Sequence, residues 1–164
     1  MGKAKNLDKA ELPQELIELL DKPDSVKVLG TLNADGSPRL AINKSLTTLD
    51  GKTLILSEEL EKTLSNKNLV RSIWFDKRVS VYISNGPVAY EVRASVNRCF
   101  IIGGQFVEML TRARKEYGPD ADITDAWELI PREVVNVSPE VVRREQQLLH
   151  PFLDIHLDRA SIRV

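Results

Sequence analysis

The spacing of apolar residues changes several times along the chain, and each change marks an expected element. Residues 11–20 (ELPQELIELL) place Leu12, Leu16, Ile17, Leu19 and Leu20 at near-helical intervals, with Pro13 suited to a first turn. This predicts a short leading helix, ended by Pro23 and Asp24. The next stretch, VKVLGTLNADGSPRLAINKSLTTLDGKTLILS, alternates instead, and its Asp35-Gly36 and Asp50-Gly51 pairs are hairpin signals because glycine accepts positive φ without a Cβ clash. Three strands follow, over about residues 26–33, 38–49 and 53–57. In the first, Val26, Val28, Gly30 and Leu32 share a face. The connections are too short for a parallel crossover, so the order is antiparallel.

Residues 65–75 return to helical spacing, with Leu69, Val70, Ile73 and Trp74 on one side and Ser65 as the expected N-cap. Such a helix would pack across a barrel mouth. RVSVYIS (78–84) then points Val79, Val81 and Ile83 inward; AYEVRASV (89–96) alternates likewise after an Asn85-Gly86-Pro87 turn, and RCFII (98–102) follows as a further strand. Gly103-Gly104 breaks that run. Phe106, Met109, Leu110, Ala113 and Tyr117 predict a helix stopped by Gly118-Pro119, and residues 119–125 read as a loop. From Trp127 onward two readings stay open: Ser138-Pro139-Glu140 begins a helix over VVRREQQLL, with proline at its first position, or it interrupts a long edge strand made from VVNV and VVRR. The expected fold is mainly β with peripheral helices: a six-stranded antiparallel barrel, closed or partly closed. One domain spans 1–164, with a leading helix in 1–24, the barrel core in 25–110 and a helical and mixed tail in 111–164.

Composition narrows the function. A chain of 164 residues with 42% hydrophobic and 29% charged content can build one ordinary core without disulfides. Its single cysteine, Cys99, fits a reducing cytoplasm. The charged N-terminus lacks the apolar run of a secretory signal, and no stretch approaches the roughly 20 apolar residues of a membrane span. A net charge of −1 gives no global field for nucleic acid. Arg112, Arg114 and Lys115 are interleaved with Glu108 and Glu116, which reads as a solvated helix face.

Motif chemistry is sparse. Neither zinc-ligand spacing nor a G-x-S-x-G, Walker or Rossmann signature occurs. Asp154, His156 and Asp158 would share a face if extended, but a solvated tail explains them better than a metal, and none is assigned. Trp127 reads as packing rather than a ring cover, and Gly103-Gly104-Gln105 as a strand-to-helix turn. The strongest candidate is SEELEKTLSNKNLVRSI, entering the second helix. Thr63, Ser65 and the free amides of the first helical turn form a donor-rich concavity suited to phosphate. A plain cap, with Ser65 and Asn68 bonding reciprocally, is the competing explanation.

The sequence LGTLNADGSPRLAIN, the DGKTLILS strand, the T-x-S-x-x-N-L helix start and the RVSVYI strand, in this order, resemble the split-barrel flavoproteins related to pyridoxamine 5'-phosphate oxidase. The likeness covers about residues 25–110. It implies FMN held at a homodimer interface, with its phosphate at Thr63, Ser65 and Asn68, contacts from Asn43, Lys44 and Ser45 on the second strand, and Ser57 at the end of the third. Many relatives carry Lys or Arg where this chain has Leu64, leaving Lys44, Lys62 and Lys67 as replacements. The arginine pattern of true pyridoxamine phosphate oxidases is absent. The resemblance therefore implies an FMN-dependent oxidoreductase with a small-molecule electron donor or acceptor. The alternatives are a flavin, haem or deazaflavin carrier without turnover, and a cofactor-free dimeric module.

Overall fold

A computed structural model describes residues 9–150, so the Asp154, His156 and Asp158 group lies outside the described residues. The chain runs α1 (Gln14–Asp21), β1 (Val26–Leu32), β2 (Pro38–Ile42), β3 (Leu54–Glu58), α2 (Leu64–Trp74), β4 (Arg78–Asn85), β5 (Val88–Phe100), α3 (Gly104–Tyr117), β6 (Asp125–Asn136) and α4 (Pro139–Leu149). All six strands form one antiparallel sheet in the order β2-β1-β4-β5-β6-β3. The sheet curls so that its two end strands, β2 and β3, meet beside the site described below.

Alternation fills the inside. Val79, Val81 and Ile83 of β4 and Val92 and Ala94 of β5 are all at most 1% exposed, as expected, and they pack with Leu29, Leu54, Leu56 and Leu129. Helix α1 covers one end of this core with Leu16, Leu19 and Leu20. A second, smaller cluster joins Met109 of α3 to Ile55, Ile123 and Ala126 on the other side of β3 and β6.

In β1 the face shared by Val26, Val28, Gly30 and Leu32 turns outward, while Lys27, Leu29 and Thr31 turn in. The second strand pairs with β1 only to Ile42; Thr47 then makes an isolated bridge to Ile55, because the chain turns at 43–46 to cross from one end of the sheet to the other.

The second half of the sheet differs more from expectation. Residues 98–100 continue β5 rather than forming a separate strand, and the sixth strand comes from 125–136. Register shifts between Arg93 and Ala94 and between Val96 and Arg98 change the phase of the ladder without ending it. A phase change looks like a break when only alternation is read. Pro131 is tolerated within β6 because it sits at the first of these irregularities, opposite Ala94. Of the two tail readings the helix holds: Pro139 starts α4, which takes in VVRR and buries no residue, while β6 ends at VVN and lies between β5 and β3 rather than at an edge.

Helix α2 also departs from its predicted packing. Its N-cap is Thr63, whose Oγ1 accepts the Asn66 N–H at 3.0 Å, whereas Ser65 lies inside the helix. Of the expected apolar stripe only Leu69 is fully buried; Val70, Ile73 and Trp74 are exposed, and the inner face is Ser65, Asn66, Asn68, Leu69 and Ser72. A polar inner face requires polar partners. These come from β1 and β6, whose positions no local pattern reveals.

Candidate cofactor cleft

Between the turn after β2, the end of β3 and the outer side of α3 lies an open cleft of about 1110 Å³. Asn43, Lys44, Ser45, Ser57, Thr63 and Ser65 all line it, so six of the seven residues nominated from sequence come together. Asn68 does not. It is 1% exposed, and its Nδ2 donates to Thr31 Oγ1 at 3.0 Å and Asn33 Oδ1 at 2.9 Å, holding α2 to β1.

The cleft sits where the sheet is stitched by side chains instead of a ladder. Ser45 Oγ accepts the Ser57 N–H at 2.8 Å and donates to Asn43 Oδ1 at 2.6 Å, while Asn43 Nδ2 donates to Ser57 O at 3.2 Å. The chain leaves β2 at Ile42, so backbone pairing to β3 is replaced by these short polar side chains. Asn43, Ser45 and Ser57 thus form the floor of the cleft and close the barrel at the same time.

Two acidic residues that sequence reasoning missed lie at the head of α2. Glu58 Oε2 accepts the Thr63 hydroxyl at 2.9 Å, and Oε1 accepts Asn43 Nδ2 at 3.3 Å. Burial pushes the Glu58 carboxyl above the usual carboxylate range; Asp125 adds to the push, and the bonds from Thr63 and Asn43 and the charge of Arg39 oppose it. Asp125, 4% exposed, accepts Asn66 Nδ2 at 2.7 Å, and burial raises its carboxyl likewise. Asp125 is 59 residues from Asn66, so no spacing signal links them.

Arg39, Lys44 and Lys27 bring positive charge to the cleft from β1, β2 and the turn after it, and Lys22, Arg112 and Lys115 also line it. Arg39, Ala41 and Asn43 alternate along β2 onto the cleft side, so counting back by two from Asn43 would have found the arginine. Among the described residues its buried Nε has no hydrogen-bond partner. Lys27 is 8% exposed; burial lowers its pKa, with Asp21 and Glu116 opposing, and its Nζ donates to Leu20 O at 2.6 Å. That ammonium is committed to the end of α1. Lys62 and Lys67 do not line the cleft, so of the three lysines considered as replacements at Leu64 only Lys44 is in place.

This donor set fits the phosphate end of a flavin nucleotide. An arginine with a free buried N–H, a lysine, two hydroxyls and a helix start converge on a space large enough for a ligand of that size. Glu58, whose carboxylate already accepts from Thr63 and Asn43, opposes it at the head of α2.

No family model matches the chain, and no curated protein is detectably similar in sequence. Solved structures do match. HupZ of Group A Streptococcus superposes with a TM-score of 0.65 at 15% identity, covering 78% of this chain and 95% of that one. An FMN-binding protein from Syntrophomonas wolfei gives 0.63 at 13% identity, over 76% and 88%. A Clostridium acetobutylicum protein related to general stress protein 26, of the pyridoxinephosphate oxidase family, gives 0.54 at 14% identity, over 78% and 94%. This chain has their split-barrel fold. In the split barrel the cleft described here lies at the opening between the two end strands, and the seam residues belong to that opening.

Beside the opening, the outer face of β1 and β2 is apolar, and Tyr82 of β4 extends it between Ser80 and Ser84. Ile42, Val28 and Tyr82 stand in one cross-strand row and Leu40 and Gly30 in the next; Leu40 and Ile42 are 74% and 73% exposed. A Cβ at Gly30 would meet Ser80 O at 3.3 Å and Leu40 Cδ2 at 3.4 Å, so glycine keeps this face flat. Among the described residues no helix is long and apolar enough to cross a membrane.

Proposed function

We propose that the chain is an FMN-binding flavoprotein, an oxidoreductase that passes electrons between a reduced donor and a small acceptor, with the flavin in this cleft at a homodimer interface. The observation that carries the reading is Arg39, which lines the cleft with Lys44, Thr63 and Ser65 and whose buried Nε has no partner among the described residues. The fold shared with an FMN-binding protein supports it. Asn43, Ser45 and Ser57 would shape the floor and Asn68 would brace α2 from behind. FMN, when bound, supplies the two-electron and one-electron chemistry; the protein's part is to anchor the phosphate, orient the ring and exclude water.

The homodimer reading rests on the flat apolar face of β1, β2 and β4, which a second copy would cover. A single cysteine agrees with a cytoplasmic protein; Cys99 is exposed, and its thiol is pushed up to about 11 by desolvation and Asp125. Opposed to the flavin enzyme is a carrier without turnover, for flavin, haem or deazaflavin, or a dimeric module without a cofactor. Within this second reading Glu58 favours haem or no cofactor, because its carboxylate stands on donors that a flavin phosphate would use.

The test is an absorbance spectrum of purified protein after adding FMN and removing the excess by gel filtration. About one flavin retained per chain, and NAD(P)H oxidation with an added acceptor, would support the enzyme. Retained flavin without turnover would support the carrier. No retained flavin in a folded dimer would remove the FMN reading.

A further inference from the structure

One donor assigned to the ligand phosphate, Thr63, and one residue of the cleft floor, Asn43, are already taken by a carboxylate of the chain itself. Glu58 Oε2 accepts from Thr63 Oγ1 at 2.9 Å, and Oε1 accepts from Asn43 Nδ2 at 3.3 Å. Thr63 Oγ1 in turn caps α2, so Glu58 stands at the amide end of that helix, where partial positive charge favours an anion. A phosphate cannot accept from Thr63 and Asn43 while Glu58 does, and two anions on these donors repel each other.

The surroundings of Glu58 make its charge costly. Arg39 of β2 attracts it, Asp125 of β6 repels it, and Glu59 follows in the chain. Across the cleft α3 presents Glu108, Arg112, Lys115 and Glu116, which balance one another. Burial is the largest single cause of the raised Glu58 pKa.

We propose that Glu58 is an internal counter-ligand of this cleft, displaced when a phosphate ester binds, with one proton taken up from solvent. The inference rests on the flavin-nucleotide reading above and adds its regulation. The balance is simple: ligand phosphate, Glu58 carboxylate and one proton become bound phosphate and a neutral Glu58 acid. The only covalent bond formed is the O–H of Glu58, and that hydroxyl then donates to the phosphate or to a neighbouring acceptor. Nothing is oxidised or reduced. Selectivity follows from the same exchange, since a dephospho analogue does not compete with the carboxylate.

The experiment measures the affinity of the wild-type protein and Glu58→Gln for FMN and for riboflavin, by flavin fluorescence, between about pH 5 and pH 8. Titration calorimetry in two buffers of different ionisation enthalpy counts the protons taken up by each protein, and the difference between the two removes those of the ligand's own phosphate. Dividing the two proteins' FMN affinities cancels the titration of the ligand's own phosphate. The expected ratio, Glu58→Gln over wild type, is near one at the acid end. It rises about tenfold per pH unit while Glu58 is ionised when free and protonated when bound. Riboflavin affinity should show no such rise, and the wild type should take up about one proton more than Glu58→Gln on binding FMN. A pH-independent ratio with no proton uptake beyond that of Glu58→Gln, while both proteins bind FMN, overturns the counter-ligand and leaves the flavin reading standing. Failure of both proteins to bind either flavin at any pH overturns the flavin reading, and the counter-ligand with it.

Discussion

Asn68 offers a clean separation between a ligand contact and a structural brace. Its side chain is 1% exposed and makes two hydrogen bonds, to Thr31 Oγ1 and Asn33 Oδ1, that tie α2 to β1. Asn68→Ala removes both donors. Thr31 is 5% exposed, so its oxygen cannot be rehydrated and costs about 1 to 3 kcal/mol as an unsatisfied buried group. Asn33 is only half-buried, so water can replace its lost partner and its share is about 1 kcal/mol. The sum is about 2 to 4 kcal/mol. For a domain of this size that lowers the melting temperature by roughly 5 to 15 °C. The assay is thermal unfolding by circular dichroism, paired with FMN retention well below the transition. The expected result is a large fall in Tm with flavin affinity within about threefold of wild type. An unchanged Tm with flavin lost would refute the reasoning and place Asn68 at the ligand.

Arg39→Ala should weaken FMN binding by about tenfold to a hundredfold, the worth of a charged hydrogen bond, while leaving Tm nearly unchanged, because its buried Nε bonds to nothing among the described residues; equilibrium dialysis and a melting curve check it. Leu40→Asp combined with Ile42→Asp should convert a dimer to monomer by light scattering, since both side chains are more than 70% exposed in the single chain and need lose no internal packing. Asp125 has a folded pKa raised by burial, so it binds its proton more tightly folded than unfolded. Its contribution is fully present below the usual carboxylate pKa of about 4 and is lost as pH rises through the folded value. Relative to Asp125→Asn, wild-type stability in urea should therefore fall as pH rises from about 4; a difference that is flat with pH would show that the carboxyl is not desolvated.

The local chemistry of the chain was enough to locate β1, the β4–β5 hairpin, α1 and α3, because each is set by its own alternation or helical period and by turn residues such as Asp35-Gly36. Helix-start chemistry pointed to Thr63 and Ser65, and the resemblance to the split-barrel flavoproteins added Asn43, Lys44, Ser45 and Ser57; these six cleft residues fall on two short segments, 43–45 and 57–65. Arg39 was within reach by the same two-residue period. What the sequence could not decide was anything set by partners distant along the chain. The outward turn of Val26 and Val28 depends on which side of the sheet α1 covers. The polar inner face of α2 is satisfied by Thr31 and Asp125, 37 residues from Asn68 and 59 from Asn66. The sixth strand is held by a ladder whose register shifts blur the alternation that would announce it. Glu58 becomes the occupant of an anion site only once β3 ends beside the head of α2 and the turn after β2 folds over it. Hydrophobic period is a property of neighbours in sequence, whereas burial of charge and satisfaction of polar groups are properties of neighbours in space, and only the tertiary structure supplies those.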